Sequence, residues 1–298
     1  MKLYHYTSVS LAESICHSSL RYGHLNSIVH GIVQPVVWLT TDPLAEGHGL
    51  LTGNENPPPS QAAAMARVHG QKQPLNNKTA NKMQIRIEVD VNKTDSKLIK
   101  FENWSRNNGE HRDFARWTGL SAIMNIAKLS DDRLRHVVSS PKFRTKEKTW
   151  YLYFGEIYPD SFSAISFKSG DGFVSYDFEK HGRAITEADG IVYASPETLK
   201  SLQELIPSMH RFDFPRAFTF VENPNDVPHV LIRCSNFLLR LDIAEPGEPK
   251  VHLGSVPVQI EDLRNWVRHH RDELQQGWDR AKEVYYEYFP HSVSPPVS

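Results

Sequence analysis

The sequence predicts an α+β fold in two parts, on the basis of three patterns. Residues 83–91 alternate strictly between apolar and polar side chains, which is the period of a half-buried β-strand. Residues 260–285 place apolar side chains at steps of three and four, which is the period of an amphipathic helix. From about residue 170, short apolar runs are separated by turn sequences such as Glu245-Pro246-Gly247. The second part is therefore the smaller one and ends in a long helix.

The first part begins with a short apolar strand at residues 3–4, followed by a helix predicted over residues 11–19. A second apolar strand occupies residues 36–39. The chain from Ala45 to Asn81 is polar and rich in Gly, Pro and Asn, which predicts a long loop.

Regular structure returns with the alternating strand at residues 83–91. Residues 114–138 have a mainly helical pattern, and the aromatic segment 150–157 and the segment 162–167 are predicted strands.

The second part opens with a Gly-rich turn and alternating residues 173–178. Ser195-Pro196 predicts the start of a helix that runs to about residue 206, because proline is favoured at the first helical position. A meander of four strands and then the amphipathic helix follow, with the strands at residues 217–221, 229–232, 237–243 and 250–256. We therefore predict domains at 1–168 and 169–289, and a disordered tail at 290–298.

Composition indicates a protein of the cytoplasm. The 298 residues carry 34 Lys plus Arg against 35 Asp plus Glu, so the net charge of −1 gives no general attraction to nucleic acid. No signal peptide or membrane-spanning run is predicted. Two distant cysteines, Cys16 and Cys234, are typical of a reducing compartment. The histidines lack metal-ligand spacing, so no metal site is expected.

Missing motifs narrow the function. The sequence has no G-x-G-x-x-G or Gly-Lys-Ser/Thr phosphate loop and no G-x-S-x-G elbow, which argues against dehydrogenases, kinases and serine hydrolases.

The ends of the first two strands carry the side chains most suited to a site. The first strand delivers His5, Tyr6 and Thr7, and the second ends in Thr40-Thr41. Hydroxyl groups at the ends of two strands can bind a ribose, and aromatic rings there can stack on an aromatic base. The alternative is that both are core strands whose hydroxyls cap the segments that follow.

Four segments in this order resemble the ADP-ribosyltransferase superfamily, in particular a bacterial and phage branch that opens with Leu-Tyr-His-Tyr/Phe-Thr-Ser. They span about residues 1–167, and they are Leu3-Tyr4-His5-Tyr6-Thr7-Ser8, Val36-Val37-Trp38-Leu39-Thr40-Thr41, Ile85-Arg86-Ile87-Glu88-Val89-Asp90-Val91 and the run from Glu147 to Ile157.

The resemblance implies a split-sheet catalytic domain that binds NAD between two small sheets. It implies that His5 bonds the NAD ribose and the nicotinamide amide, that Thr40 and Thr41 form the second motif, and that Tyr6 or Trp38 stacks on the nicotinamide.

The catalytic carboxylate implied by the resemblance lies at the start of a late strand. Glu147 matches best and Glu156 is its rival. Arg86 is a candidate for the NAD phosphates. The alternatives are that Glu147 is a solvated residue in a segment of charged residues, that His5 is a core histidine and that Arg86 lies on the solvent-exposed face of its strand. No Glu-x-Glu pair precedes the late strand, so arginine modification is not expected.

The C-terminal part resembles a small uncharacterised bacterial domain with a Pro-His-Val turn and a late Trp, often encoded near toxin–antitoxin genes. Here these are Pro228-His229-Val230 and Trp278, although the second His of that turn is absent. Basic residues of the last helix, including Arg264 and Arg268, are expected either to meet phosphate or to form a solvated face.

The expected function is an NAD-consuming ADP-ribosyltransferase that modifies a macromolecule, as a toxin or as a phage-defence or counter-defence effector. Its acceptor (protein, DNA or RNA) is open, and so is the question of a neutralising protein partner. Two alternatives remain: a non-catalytic binding module on the same fold, and an enzyme that removes an RNA 2′-phosphate.

Overall fold

The computed structural model describes residues 1–21, 23–27, 32–48, 50–54, 80–107, 146, 148–206, 211–212, 214–234, 237–254 and 258–288. Within them the chain forms two antiparallel sheets and six α-helices, which confirms the α+β class. The chain divides into two compact units: Met1–Ala12 with Ser19–Tyr176, and Glu13–Ser18 with Asp177–Ser298. None of the described helices is both long enough and apolar enough to cross a membrane.

The first unit is built on an eight-stranded sheet. Its strands are β1 (Lys2–Thr7), β2 (Gly23–Ser27), β3 (Ile32–Thr40), β4 (Ile85–Asp90), β5 (Leu98–Lys100), β6 (Trp150–Tyr153), β7 (Phe162–Ser169) and β8 (Gly172–Ser175). Their order is β5-β6-β3-β1-β4-β7-β8, with β2 paired to β3. Strand β1 is therefore central, and its neighbours β3 and β4 come from sequence segments that lie far apart.

Two helices follow strands of this unit. Helix α1 (Val9–Cys16) follows β1 directly, and α2 (Phe101–Asn107) follows β5. Helix α2 buries Phe101 and Trp104. One turn of 3₁₀ helix at Pro159–Ser161 precedes β7.

The second unit is a five-stranded meander covered by helices. Its strands, in the order β13-β12-β11-β10-β9, are β9 (Ile191–Tyr193), β10 (Arg216–Phe220), β11 (His229–Cys234), β12 (Phe237–Asp242) and β13 (Lys250–Gly254). Its helices are α3 (Arg183–Ala188), which follows a π-helical turn at Phe178–Gly182, α4 (Pro196–Leu205), α5 (Ile260–His269) and α6 (Arg271–Tyr288). Alternating buried residues of β11 and β12 pack with Leu202, Leu263 and Trp278 in one core.

The prediction of one long C-terminal helix from its apolar stripe is wrong in one respect, because the segment forms two helices. Helices α5 and α6 meet at His270, whose dihedral angles (φ −102°, ψ 17°) leave the helical region. The buried stripe continues through the break, with Leu263 and Val267 before it and Leu274 and Trp278 after it. The apolar spacing of three and four residues therefore continues across both helices, and the sequence pattern does not reveal the break.

Several elements differ from their predicted bounds for local reasons. The aromatic strand predicted over 150–157 ends at Tyr153, and Ile157 forms an isolated bridge with Leu20. Strand β2, which begins at Gly23, follows the predicted N-terminal helix and was not predicted. The predicted domain boundary at residue 168 falls within β7.

Some predicted features lie outside the described residues. These are the helix at 114–138, most of the loop from Ala45 to Asn81, the tail from residue 290, and Glu147 itself.

Candidate functional site

Strand β1 places its side chains on two faces of the sheet. In the pairing of β1 with β4, His5 lies opposite Ile87 and Tyr6 lies opposite Arg86. Because successive residues of a strand point to opposite faces, His5 and Tyr6 are separated by the sheet. The His5 face carries Leu3, His5, Thr7 and Ile87, and the Tyr6 face carries Tyr4, Tyr6, Trp38, Thr40 and Arg86. The sheet thus divides the residues that the sequence grouped into one site.

The ring of His5 has a defined tautomer. Its Nδ1 lies 3.0 Å from the backbone oxygen of Trp38. A carbonyl oxygen only accepts hydrogen bonds, so Nδ1 donates and carries the proton. Burial lowers the pKa of His5 to about 4, although the bond to Trp38 opposes this shift, and the positive charge of Lys82 lowers it further. At neutral pH the ring is neutral, and Nε2 can accept a hydrogen bond from a ligand hydroxyl or amide.

Lys82 acts on the same histidine, and no sequence pattern marked it. Lys82 lies three residues before β4 begins, and its backbone N–H donates to the backbone oxygen of Leu51 at 2.9 Å. The side chain is half-buried, and burial lowers the pKa of its ammonium group. Within the described part of the chain, no carboxylate pairs with it. A single Lys before a strand is ordinary in sequence, so only its surroundings distinguish it.

His5 and Lys82 are both partly exposed, and burial lowers the pKa of each side chain. A hydrogen-bond acceptor and a nearby cation suit a ligand with hydroxyl and anionic groups.

The Tyr6 face is engaged by the loop that follows β3. The Tyr6 hydroxyl donates to the backbone oxygen of Asp42 at 2.9 Å, and Arg86 Nη1 donates to that of Pro43 at 2.9 Å. Arg86 Nη2 donates to Glu88 at 3.1 Å. Burial raises the pKa of Tyr6. The guanidinium group of Arg86, which is a candidate to bind the NAD phosphates, thus already forms hydrogen bonds within the protein.

His48 also belongs to this face. The indole Nε1 of Trp150 donates to His48 Nδ1 at 2.7 Å, so the neutral His48 ring carries its proton on Nε2. The His48 ring lies 5.8 Å from that of Tyr6, and burial, with the charge of Lys146, lowers the pKa of His48 to about 4. The Nε2 atom is buried and has no hydrogen-bond partner among the described residues. His48 stands in a Gly-rich stretch without any motif, so sequence alone could not single it out.

Trp38 belongs to an aromatic cluster. Its ring lies 5.8 Å from Trp150 in an edge-to-face arrangement and 5.4 Å from Phe101, which in turn stacks on Trp104. Both predicted stacking residues, Tyr6 and Trp38, therefore already lie against aromatic rings of the protein.

Thr40 ties the end of β3 to the start of β6. Its hydroxyl bonds that of Thr149 at 2.7 Å and accepts from the backbone N–H of Asp42 at 3.0 Å. Asp42 also forms an ion pair with Lys146. Thr41 is exposed, although its backbone N–H donates to Thr149 at 3.0 Å. The hydroxyl of Thr40 thus serves structure, and Thr41 is the more accessible of the pair.

The candidate carboxylates have different surroundings. Glu147 lies outside the described residues, but its neighbours Lys146 and Thr149 are held against the end of β3 by the contacts just described. Glu156 is exposed and accepts a hydrogen bond from the Ser19 hydroxyl at 2.9 Å.

Thr7, the remaining hydroxyl candidate of the first strand, is buried on the His5 face.

The second unit brings two predicted motif residues together. The ring of His229 packs 4.6 Å from that of Trp278, and its Nδ1 donates to the oxygen of Val227 at 2.9 Å. Burial lowers the pKa of His229. In the last helices, Arg264 and Arg268 both pair with Glu261, so their charges are partly neutralised.

The part of the chain that the structure describes contains no group of three or more His, Cys, Asp or Glu side chains arranged to hold a metal. Comparisons with protein-family models, with curated proteins and with solved structures found no match to this chain.

Proposed function

We propose that the first unit is an NAD-dependent ADP-ribosyltransferase of the cytoplasm that modifies a macromolecule, as a toxin or a phage-defence or counter-defence effector. The observation that carries the proposal is the fixed tautomer of the partly exposed His5. Its Nδ1–H is committed to Trp38, so its neutral Nε2 is available to accept from a ribose hydroxyl or a carboxamide N–H.

The reaction breaks the bond between nicotinamide and ribose C1′. The electron pair leaves with nicotinamide, and positive charge develops on the ribose. A nucleophile of the acceptor then bonds to C1′ and loses its proton. A carboxylate held beside the ribose opposes the developing charge, and one such preorganised group is typically worth about 2.7–4 kcal/mol. We assign this role to Glu147 on the sequence resemblance alone.

A non-catalytic binding module is the second candidate. The observation that favours it is the engagement of Tyr6, Thr40 and Arg86 in bonds within the protein. A degenerate cleft on the same fold would retain such structural contacts and lose turnover.

The test is the release of free nicotinamide from NAD by the full chain, followed with and without cell lysate. We expect wild type and Glu102→Gln, which alters a carboxylate on α2 far in sequence from the candidates, to release nicotinamide. Glu147→Gln and His5→Ala should lose the release while retaining the wild-type circular dichroism spectrum. Glu156→Gln discriminates between the two carboxylates, since loss in that variant alone would move the assignment to Glu156. Absence of release from wild type under both conditions would favour the binding module.

A further inference from the structure

We propose that the second unit contains a pH-sensitive switch, in which one proton taken up by His270 reverses the hydrogen bond between its ring and the hydroxyl of Ser201. The switch is a chain of hydrogen bonds that runs from an indole through two hydroxyls and an imidazole to a carboxylate. Its five members are Trp266, Ser201, His270, Thr198 and Glu273. They come from α4, from α5 and from the first turn of α6, so the chain of bonds joins three helices.

The carboxylate of Glu273 sets the direction of the bonds. An ionised carboxylate only accepts hydrogen bonds, so the hydroxyl of the buried Thr198, whose oxygen lies 2.5 Å from Glu273 Oε2, donates to it. The single hydrogen of that hydroxyl is thus committed, and its oxygen accepts from His270 Nδ1 at 3.2 Å. Glu273 also accepts from the backbone N–H of Ser195 at 2.7 Å, which holds the carboxylate at the start of α4. The neutral ring of His270 therefore carries its proton on Nδ1.

The other ring nitrogen faces the hydroxyl of Ser201, which has two acceptors within reach. Ser201 Oγ lies 3.1 Å from His270 Nε2 and 2.8 Å from the backbone oxygen of Thr198. The indole Nε1 of Trp266 donates to the same Oγ at 2.9 Å. A hydroxyl has one hydrogen, so it donates to only one of the two acceptors at a time. Two hydrogen-bond patterns therefore fit the same positions of the heavy atoms.

The charge of His270 decides which pattern forms. While the ring is neutral, Nε2 carries no hydrogen, and the hydroxyl of Ser201 donates to it. A proton added to Nε2 makes this nitrogen a donor to Ser201 Oγ, so the hydroxyl hydrogen turns to the backbone oxygen of Thr198. The oxygen of Ser201 then accepts two hydrogen bonds, which its two lone pairs allow. The bonds from His270 Nδ1 to Thr198 and from Thr198 to Glu273 keep their direction in both states.

The surroundings of the ring place the switch below neutral pH. Burial lowers the pKa of His270, and the charge of His269 lowers it further, whereas the charge of Glu273 opposes the shift. The ring of Trp266 faces that of His270 from α5 at 5.1 Å, and hydroxyl groups face it from α4. The remaining charged side chains of α4, of the last turn of α5 and of the first turn of α6 are exposed, namely Glu197, Lys200, Glu204, Arg268, Arg271 and Asp272. We therefore expect proton uptake below the ordinary value of about 6.5.

The first test is the ¹⁵N spectrum of the full chain, with the His270 signals assigned by their loss in His270→Asn. At neutral pH we expect the ring in its Nδ1–H form. As the pH falls, the indole ¹⁵N–¹H signal of Trp266 should shift with the same midpoint as His270, because the hydroxyl that accepts the indole N–H turns. Ser201→Ala removes that hydroxyl, so the indole signal should lose most of this shift.

The second test asks whether Glu273 sets the direction. In Glu273→Gln the side-chain amide can donate to Thr198, whose hydroxyl is then free to donate to His270 Nδ1, so the Nε2–H form should appear. Thr198→Val removes the middle link and should also let the Nε2–H form appear, whereas Thr198→Ser should keep the wild-type form. Glu197→Gln is the matched control, because it alters an exposed carboxylate of α4 and should leave the Nδ1–H form unchanged.

The switch is overturned if wild-type His270 is in the Nε2–H form at neutral pH, or if the Trp266 signal does not follow its titration. It is also overturned if Ser201→Ala shows the full indole shift, or if Glu273→Gln and Thr198→Val both keep the Nδ1–H form as Glu197→Gln does. The measurement on wild type decides the inference even where a variant fails to fold. None of these outcomes depends on a nucleotide or on turnover, so the switch and the proposed function fail separately.

Discussion

At the scale of single residues, two histidines of the first unit are held in opposite tautomers. His5 donates from Nδ1 to a carbonyl, whereas His48 accepts at Nδ1 from an indole. Burial lowers the pKa of each to about 4. The consequence is that neither ring acts as a cation near neutral pH, and each presents one defined hydrogen-bonding atom.

We therefore expect ¹⁵N spectra of the imidazoles to show His5 as the Nδ1–H form and His48 as the Nε2–H form, both neutral from pH 8 down to about 5. Single His→Asn variants assign the two signals. Titration of either ring near the ordinary value of about 6.5 would contradict its described environment.

The same shifts predict how stability depends on pH. Because the folded pKa of both rings lies below that of the unfolded chain, the unfolded chain binds protons more readily. Their contribution to the free energy of unfolding is therefore complete above about pH 6.5 and is lost as pH falls toward about 4. Urea unfolding at several pH values measures this, and the slope should be shallower in His48→Asn. An unchanged slope would mean that His48 titrates alike in both states.

The bond between Trp150 and His48 can be tested by a double-mutant cycle. His48→Phe leaves the indole N–H buried without its acceptor, which should cost about 1–3 kcal/mol of unfolding free energy. Adding Trp150→Phe removes the orphaned donor, so the double variant should be more stable than the sum of the single effects predicts. Strict additivity would show that the pair is not coupled.

At the scale of elements, the contact between β3 and β6 sets the position of the segment that flanks Glu147. Thr40→Val removes the bonds of its hydroxyl to Thr149 and to the backbone of Asp42. We expect a loss of about 1–2 kcal/mol in unfolding free energy. Thr41→Val is the matched control, because its side chain is exposed and should leave stability unchanged. Equal effects in the two variants would contradict the structural role of Thr40.

Elements with several periods were predictable from sequence, and short ones were not. The strand at 83–91 and the helix at Pro196–Leu205 repeat their pattern long enough to be recognised. Strands β5 and β9 have three residues each, too few to show a period. The break between α5 and α6 was hidden because both helices keep one buried stripe.

The candidate site was less predictable than the fold, because its contacts join distant parts of the sequence. Trp150 and His48 are 102 positions apart, and Thr149 and Thr40 are 109 apart. The sequence marked His5, but the separation of His5 from Tyr6 follows from strand pairing with β4, which no local pattern specifies. Lys82 likewise gains its character only from its surroundings.

At the scale of the whole molecule, the second unit includes residues 13–18 of the N-terminal region. Within that unit, Arg216 Nε donates to Glu13 at 3.1 Å, and both side chains are largely buried. The guanidinium also lies 4.8 Å from the ring centre of Phe178. A residue of helix α1 thus pairs with strand β10 in a unit formed mainly by the C-terminal half.

Glu13→Gln should therefore lower the stability of the second unit by about 3 kcal/mol, since it removes one charge of a largely buried ion pair. Glu283→Gln is the control, because its pair with Arg280 is exposed on both sides and should not shift the thermal midpoint. Calorimetric scans of the full chain measure both. A midpoint for Glu13→Gln that matches the control would mean that this pair contributes nothing.

The most direct test of the proposed NAD site is the ¹⁵N signal of His5 during titration with NAD, in the Glu147→Gln variant so that the dinucleotide is not consumed. We expect a saturable shift of the Nε2 resonance as that atom accepts a hydrogen bond, while Nδ1 keeps its proton and donates it to the oxygen of Trp38. An Nε2 resonance that stays in place while NAD binds elsewhere, or that never responds to NAD, would contradict it.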